Sequence, residues 1–259
     1  MNTNNKKNIV IKIGTTSIIK NDKVDITLLK SLAELIIENK NQFNFVIVTS
    51  GAVGLGATKL NYKSRPKSLK RLQVASAVGQ IELINQYEKI FKDKKMNIAQ
   101  VLITKNLIDD REQFVNTTQA LNELLSQGII PVINENDVVA TEEIRFGDND
   151  KLAAMVSNLI SADLMIILTN QAGFFDKNPD KHDNAKLIKK CNISDININQ
   201  FNIDEKSDLG TGGFKTKLQA VEMVYKNDID TIIASGFEKD VLQRIFSGED
   251  VGTFFKSET

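Results

Sequence analysis

The sequence predicts an α/β protein, a three-layer αβα sandwich with a mainly parallel central sheet. Short runs rich in Val and Ile alternate with longer segments of helical period, and the runs are apolar at consecutive positions instead of alternate ones. A strand that is apolar on both faces needs cover on both, which helices packed on either side of a parallel sheet provide. Composition agrees: 41% hydrophobic and 25% charged residues are ordinary for a globular core large enough to offset chain entropy. With only three prolines and no internal repeat, no linker marks a boundary. The expected organisation is a solvated Asn- and Lys-rich tail over 1–7, then a single domain over 8–259.

The predicted strands are Ile9 to Ile13, Phe45 to Thr49, Ile98 to Ile103, Ile129 to Ile133, Leu164 to Leu168 and Thr231 to Ala234. Between them the period predicts helices at about 25–40, 68–93, 112–127, 149–161, 215–227 and 238–247. Val138 to Phe146 alternates differently and reads as a β-hairpin. Gln171 to Gly210 is polar, with fragments of periodicity only, and is either a lid over a ligand or an idle surface excursion.

Charge and cysteine content exclude several classes. The 33 basic and 33 acidic residues cancel, which removes the long-range positive field of a nucleic-acid binder. Cys191 is the only cysteine and His182 the only histidine, so an internal disulfide is excluded, a local zinc site lacks ligands, and a Ser-His-Asp hydrolase would hang on one histidine in a polar stretch. No leader pattern and no run of about 18 apolar residues is present. A cytoplasmic protein with no membrane partner is expected.

Open parallel sheets bind ligands at the carboxyl ends of their strands, where loop amides and helix N-termini converge. Gly14 follows the first strand, Gly51, Gly54 and Gly56 follow the second, Gly147 precedes a helix, and Gly210, Gly212 and Gly213 precede another. Neither the dinucleotide fingerprint nor the Walker pattern can be matched, yet such turns supply bare amides for an anion, and several together suggest a polyphosphate. Lys12 lies inside the first strand, where an ammonium needs a partner, either an intramolecular carboxylate or a bound phosphate. Lys217 falls in the first turn of a helix whose positive dipole end disfavours it. A phosphate between the two would resolve both oddities. The clusters Asn134 to Asp137 and Gly147 to Asp150 are caps and turns or, together, acceptors for an amine and donors for a carboxylate, with Ser50 and Gly51 adding a hydroxyl and an amide.

The ordered set KIGTTS, TSGAVGLG, VASAVGQ, INENDVV, FGDNDKLAAMVS and GTGGFKTK resembles the amino acid kinase family, and within it the glutamate-phosphorylating branch, over nearly the whole chain. The resemblance implies the amino acid kinase fold and ATP-dependent phosphorylation of the γ-carboxylate of L-glutamate to L-glutamyl 5-phosphate, the first step of proline biosynthesis, with Mg2+ accompanying ATP. It implies that Lys12 and Lys217 contact the transferring phosphoryl group and that Asp150 orients them. Thr211, Gly212, Gly213, Phe214, Lys215, Thr216 and Lys217 would form the nucleotide loop, with Thr169 and Asn170 also on the nucleotide. Ser50, Gly51, Asp137 and Asn149 would hold glutamate. Two departures stand out: Asn170 replaces an expected aspartate, and, with Thr259 as the last residue, the C-terminal PUA domain of many members is not expected here. The resemblance also implies inhibition by proline and a homo-oligomer, dimer or tetramer. Rivals are a kinase of the same fold acting on aspartate, acetylglutamate or carbamate, a noncatalytic sensor, and an RNA-binding protein, against which the balanced charge counts.

Overall fold

Burial on both faces of the strands organises the chain. The computed structural model describes residues 6–104, 107, 109–139, 149–177, 179, 182–198 and 214–258. In order, it forms β1 (Lys7–Ile13), the one-turn helix α1 (Thr15–Ile18), the hairpin β2 (Ile19–Lys20) and β3 (Lys23–Val24), and α2 (Ile26–Asn39). Next come β4 (Phe43–Val48), α3 (Ala52–Lys59), α4 (Leu69–Asp93), β5 (Ile98–Ile103), α5 (Arg111–Ser126) and β6 (Ile130–Glu135). The second half holds α6 (Asn149–Leu159), β7 (Leu164–Thr169), β8 (Lys190–Cys191), α7 (Phe214–Tyr225), β9 (Asp230–Ser235), α8 (Val241–Phe246) and β10 (Thr253–Phe255).

Among the described residues the main sheet has eight strands in the order β5-β6-β4-β1-β7-β9-β10-β8. All pair in parallel except β10 against β9. Side chains alternate across it: Ile9, Ile11 and Ile13 pack with α2, α3, α4 and α8, whereas Val10, Val46 and Val48 pack with α5, α6 and α7. These are the three predicted layers. Helix starts follow local chemistry, as where Asp25 accepts from the amides of Thr27 and Leu28 at 3.0 and 3.3 Å at the head of α2.

Several expectations change in detail. The last predicted helix begins at Val241, not 238, and strand β10 lies in a segment given no element. Gly54 and Gly56 belong to α3 and are not turn residues. A Cβ on Gly56 would lie 1.7 Å from the Ala75 carbonyl oxygen, and one on Gly79 would lie 1.8 Å from that of Ala52, so these glycines let α3 and α4 touch backbone to backbone. Of the expected hairpin, Val138 and Val139 end a single 3-10 turn (Asp137–Val139) and the remainder lies outside the described residues. The described part of the 171–210 excursion is tied to the sheet: the Phe174 amide donates to Thr253 Oγ1 at 2.7 Å, and that hydroxyl donates to the Ile188 carbonyl at 2.6 Å. No helix of the described residues is long and apolar enough to cross a membrane.

Candidate active site

Alternation along β1 decides where Lys12 points. Two residues beyond Val10, it shares that residue's side of the sheet, so the strand delivers its ammonium to the first turns of α6 and α7. Lys12 Nζ lies 2.5 Å from Asp150 Oδ1, and Lys217 Nζ lies 3.2 Å from Asp150 Oδ2. The Thr216 hydroxyl donates to that second oxygen at 3.0 Å. Lys12, Lys217 and Asp150 are 5%, 6% and 0% exposed. Burial alone would raise the Asp150 carboxyl, but the ammonium groups of Lys12 and Lys217 outweigh it and hold the group well below the usual carboxylate range. The carboxylate is also favoured by its place in the first turn of α6. Two cations on one anion give the triad a net positive charge, in a setting where charge interactions are strong.

Of the two partners open for Lys12, the intramolecular carboxylate is therefore present, and the same carboxylate serves Lys217. Gly14 plays a different part from the one its position suggests. Its amide donates to the Leu168 carbonyl at 3.1 Å and is spent on the sheet. What the missing side chain allows is close approach to the sheet: a Cβ there would stand 3.2 Å from the Leu168 carbonyl oxygen.

One residue before Asp150, Asn149 faces a second cluster. Its Nδ2 lies 2.5 Å from the Thr49 carbonyl oxygen, 2.9 Å from Ser50 Oγ and 2.9 Å from Asn134 Oδ1. Tyr87, fully buried, donates its hydroxyl to Thr49 Oγ1 at 3.0 Å, and burial pushes the phenol far enough up that it remains a donor. Gly51, with φ of 103°, takes the left-handed turn that starts α3 and brings the chain from Ser50 into the helix. Asp137 accepts from the Ser76 hydroxyl at 2.6 Å. The residues expected on the nucleotide sit across β1: Thr169 ends β7, its carbonyl accepts from the Gly236 amide at 2.8 Å, and its hydroxyl donates to Asn170 Oδ1 at 3.2 Å.

The structure thus brings Lys12, Asp150, Thr216 and Lys217 into one group and Ser50 and Asn149 into a second, joined through the Asn149–Asp150 peptide. Phe214 instead stacks its ring on Phe174, centroids 5.4 Å apart, and Lys215 is half-buried beside it. Thr211, Gly212 and Gly213 lie outside the described residues, as do Gly147 and Gly210. His182 is exposed. Burial, with Asp195 nearby, pushes the Cys191 thiol up, which is the wrong direction for a nucleophile. Asn134, Thr49, Ser76, Tyr87 and Gln80 were given no individual role from sequence. Their one signal is polarity at positions that fall on the buried stripe of α4 or the buried end of a strand.

A sequence profile of the amino acid kinase family matches residues 7–235. The chain belongs to the amino acid kinase family. Among its curated relatives, the glutamate 5-kinase of Methylococcus capsulatus is 42% identical over 249 residues, covering 95% of this chain and 67% of that protein. The glutamate 5-kinase of Lactococcus lactis is 37% identical over 255 residues, covering 96% and 94% of the two chains. Solved structures of other amino acid kinase folds align along almost the whole chain. UMP kinase from Bacillus anthracis has a TM-score of 0.62 at 15% identity, covering 98% of this chain and 97% of that one. Isopentenyl phosphate kinase from T. acidophilum has a TM-score of 0.60 at 14% identity, covering 96% and 99%. At such identities the likeness is one of fold. Within this amino acid kinase, the described residues include no group of three or more His, Cys, Asp or Glu side chains able to hold a metal.

Proposed function

We propose that the chain transfers the γ-phosphoryl group of ATP to the γ-carboxylate of L-glutamate, giving L-glutamyl 5-phosphate and ADP. The observation that carries this reading is the buried Lys12–Asp150–Lys217 triad, held one peptide away from the polar cluster of Ser50 and Asn149. The relatives named glutamate 5-kinase support the choice of acceptor.

The chemistry matches what the residues offer. A carboxylate with an ordinary pKa of about 4.3 is ionised at neutral pH and needs no general base. Its oxygen forms the new bond to phosphorus while the bond from phosphorus to the ADP oxygen breaks, and the electron pair leaves with ADP. The obstacle is repulsion between two anions, which positioned cations lower as charge spreads over the phosphoryl oxygens. Lys12 and Lys217 supply those cations. Asp150 keeps them apart and aimed, because each of its oxygens takes one ammonium.

Ser50, Gly51, Asn149 and Asp137 hold glutamate in this reading, with Asp137 pairing the α-ammonium. Thr169, Asn170 and the loop from Thr211 through Gly212, Gly213, Phe214, Lys215 and Thr216 to Lys217 hold the nucleotide. Both Asp150 oxygens are occupied by lysines, so that carboxylate is not offered to Mg2+; an ion entering with ATP would supply further neutralisation of the phosphate charge beside Lys12 and Lys217. The deciding experiment incubates the purified protein with ATP, Mg2+, glutamate and hydroxylamine, which converts an acyl phosphate to a hydroxamate. Glutamate-dependent hydroxamate is expected; its absence, or faster ADP release with aspartate, N-acetylglutamate or carbamate, overturns the assignment.

A further inference from the structure

We propose that Gln80 is a positioning residue for the amino-acid acceptor, fixing through Asn134 the way the Asn149 amide faces. The proposal rests on the reading of Ser50 and Asn149 as the glutamate end of the site.

The hydrogen-bond directions form a chain anchored at two backbone groups. A peptide carbonyl only accepts, so the Asn149 atom 2.5 Å from the Thr49 carbonyl oxygen is its Nδ2. A peptide amide only donates, so the Asn134 atom 2.9 Å from the Glu135 nitrogen is its Oδ1. That oxygen also lies 2.9 Å from Asn149 Nδ2, and the two anchors therefore agree. Asn134 Nδ2 is then turned toward α4, where it lies 2.9 Å from Gln80, which must answer with Oε1. Nothing else about the Gln80 amide is used: Nε2 is buried without a hydrogen-bond partner among the described residues.

A stranded donor is a cost. The side chain, 8% exposed, lines a cavity of about 270 Å3 between α4, β5 and the 135–138 turn, with Ile81, Ile84 and Leu102 on its walls. Leucine or methionine would match those apolar walls and remove the Nε2 donor, but would strand Asn134 Nδ2 in its place. What glutamine supplies is one acceptor, and that acceptor orients Asn134. Without it the buried Asn134 Nδ2 has no acceptor, and the side chain shifts to find one, pulling its Oδ1 away from Asn149 Nδ2. Asn149 then loses one of the three acceptors that compete for its two hydrogens, and the Ser50 end of the site is no longer fixed.

The test compares Gln80→Leu, which removes the acceptor, with Gln80→Glu, which keeps it, in the hydroxamate assay. A net hydrogen bond of ordinary strength corresponds to about tenfold: Q80L is expected to raise the glutamate KM by about that factor, with kcat and the ATP KM within about twofold. Q80E should keep the glutamate KM within about twofold of wild type, the cost of burying its charge beside Glu135 falling on Tm instead. A general packing defect would instead lower kcat and affect both substrates, with no rescue by glutamate. If Q80L does not fold, Q80M provides the same loss of the acceptor on a flexible chain. An unchanged glutamate KM in the folded variant, or equal loss in Q80L and Q80E, overturns the proposal. If the wild type makes no hydroxamate from glutamate, the functional reading fails separately. The relay is then judged from the side-chain amide NMR signals of Asn134 and Asn149, both of which should move in Q80L; an unmoved Asn149 signal overturns it.

Discussion

Replacing Asp150 with asparagine tests the centre of the site with almost no change of shape. The wild-type carboxylate joins two ammonium groups at 2.5 and 3.2 Å in a region with no solvent access to the acid. Asparagine keeps an acceptor for one lysine and turns a donor toward the other, so two buried cations remain with one neutral partner. Breaking a buried charge pair in this way costs about 3–5 kcal/mol. For a chain of this size each kcal/mol moves Tm by about 2–4 °C, and D150N should therefore melt roughly 6–20 °C below wild type. Misplacing a catalytic ammonium by about 1 Å costs on the order of 100-fold in rate, which sets the expected fall in kcat. Two further readings separate this account from generic damage. ATP brings the missing negative charge, so it should raise Tm more in D150N than in the wild type. The folded-state pKa of Asp150 lies below its ordinary value of 3.8, so its contribution is complete above about pH 4 and is lost as pH falls through the lower folded value. The Tm gap between the two proteins should accordingly narrow below pH 4. Thermal melts across pH, with and without ATP, and hydroxamate kinetics measure all of this. A D150N protein that melts within about 3 °C of wild type and turns over within about threefold would refute the reasoning.

Lys217→Ala removes a cation needed chiefly as charge develops, so kcat should fall about 100- to 1,000-fold while the glutamate KM changes little; near-normal turnover in steady-state assays would exclude the role. Gly79→Ala forces a Cβ to 1.8 Å from the Ala52 carbonyl oxygen, and chemical denaturation should show a loss of about 3 kcal/mol or more. The neighbouring control Gly54→Ala, where a Cβ meets nothing within 4 Å, should be neutral or stabilising by about 0.5–1 kcal/mol.

The strands were legible because burial on both faces leaves an unbroken apolar run, and Lys12 was legible as a cation interrupting one. That Lys12 and Lys217 share one carboxylate was not readable from spacing. Asp150 is 138 residues from Lys12 in sequence by simple subtraction, and only the family motifs joined them. The glycines misled for a physical reason. Propensity reads Gly54 and Gly56 as turns, but the close approach of α4 to α3 makes Gly56 a packing residue inside a helix. Gln80 is not legible from sequence, since a glutamine on a helix declares nothing until its partner Asn134, 54 positions away, is seen to be buried with it.

The discrimination between acceptors follows from covalent geometry. On the proposed reading Asn149 serves the acceptor and Asp150 the lysines, and consecutive Cα atoms are fixed about 3.8 Å apart by the trans peptide between them. Helix α6 is locked in turn by Leu152, Ala153, Met155 and Val156, all buried in the core. With Asp137 and Ser50 anchoring the α-carbon end of the substrate, as the same proposed reading has it, its distance to the lysine pair is set by these fixed elements and does not adjust to a shorter substrate. Aspartate lacks one methylene and would leave its carboxylate about 1.3 Å short if anchored by the same groups, a shortfall that costs on the order of 100-fold in rate. The expected result is a kcat/KM for aspartate lower than that for glutamate by about that factor, carried largely by kcat. Comparable values for the two would mean that the acceptor end slides along its pocket, and that the Asn149–Asp150 peptide does not set the reach of the reaction.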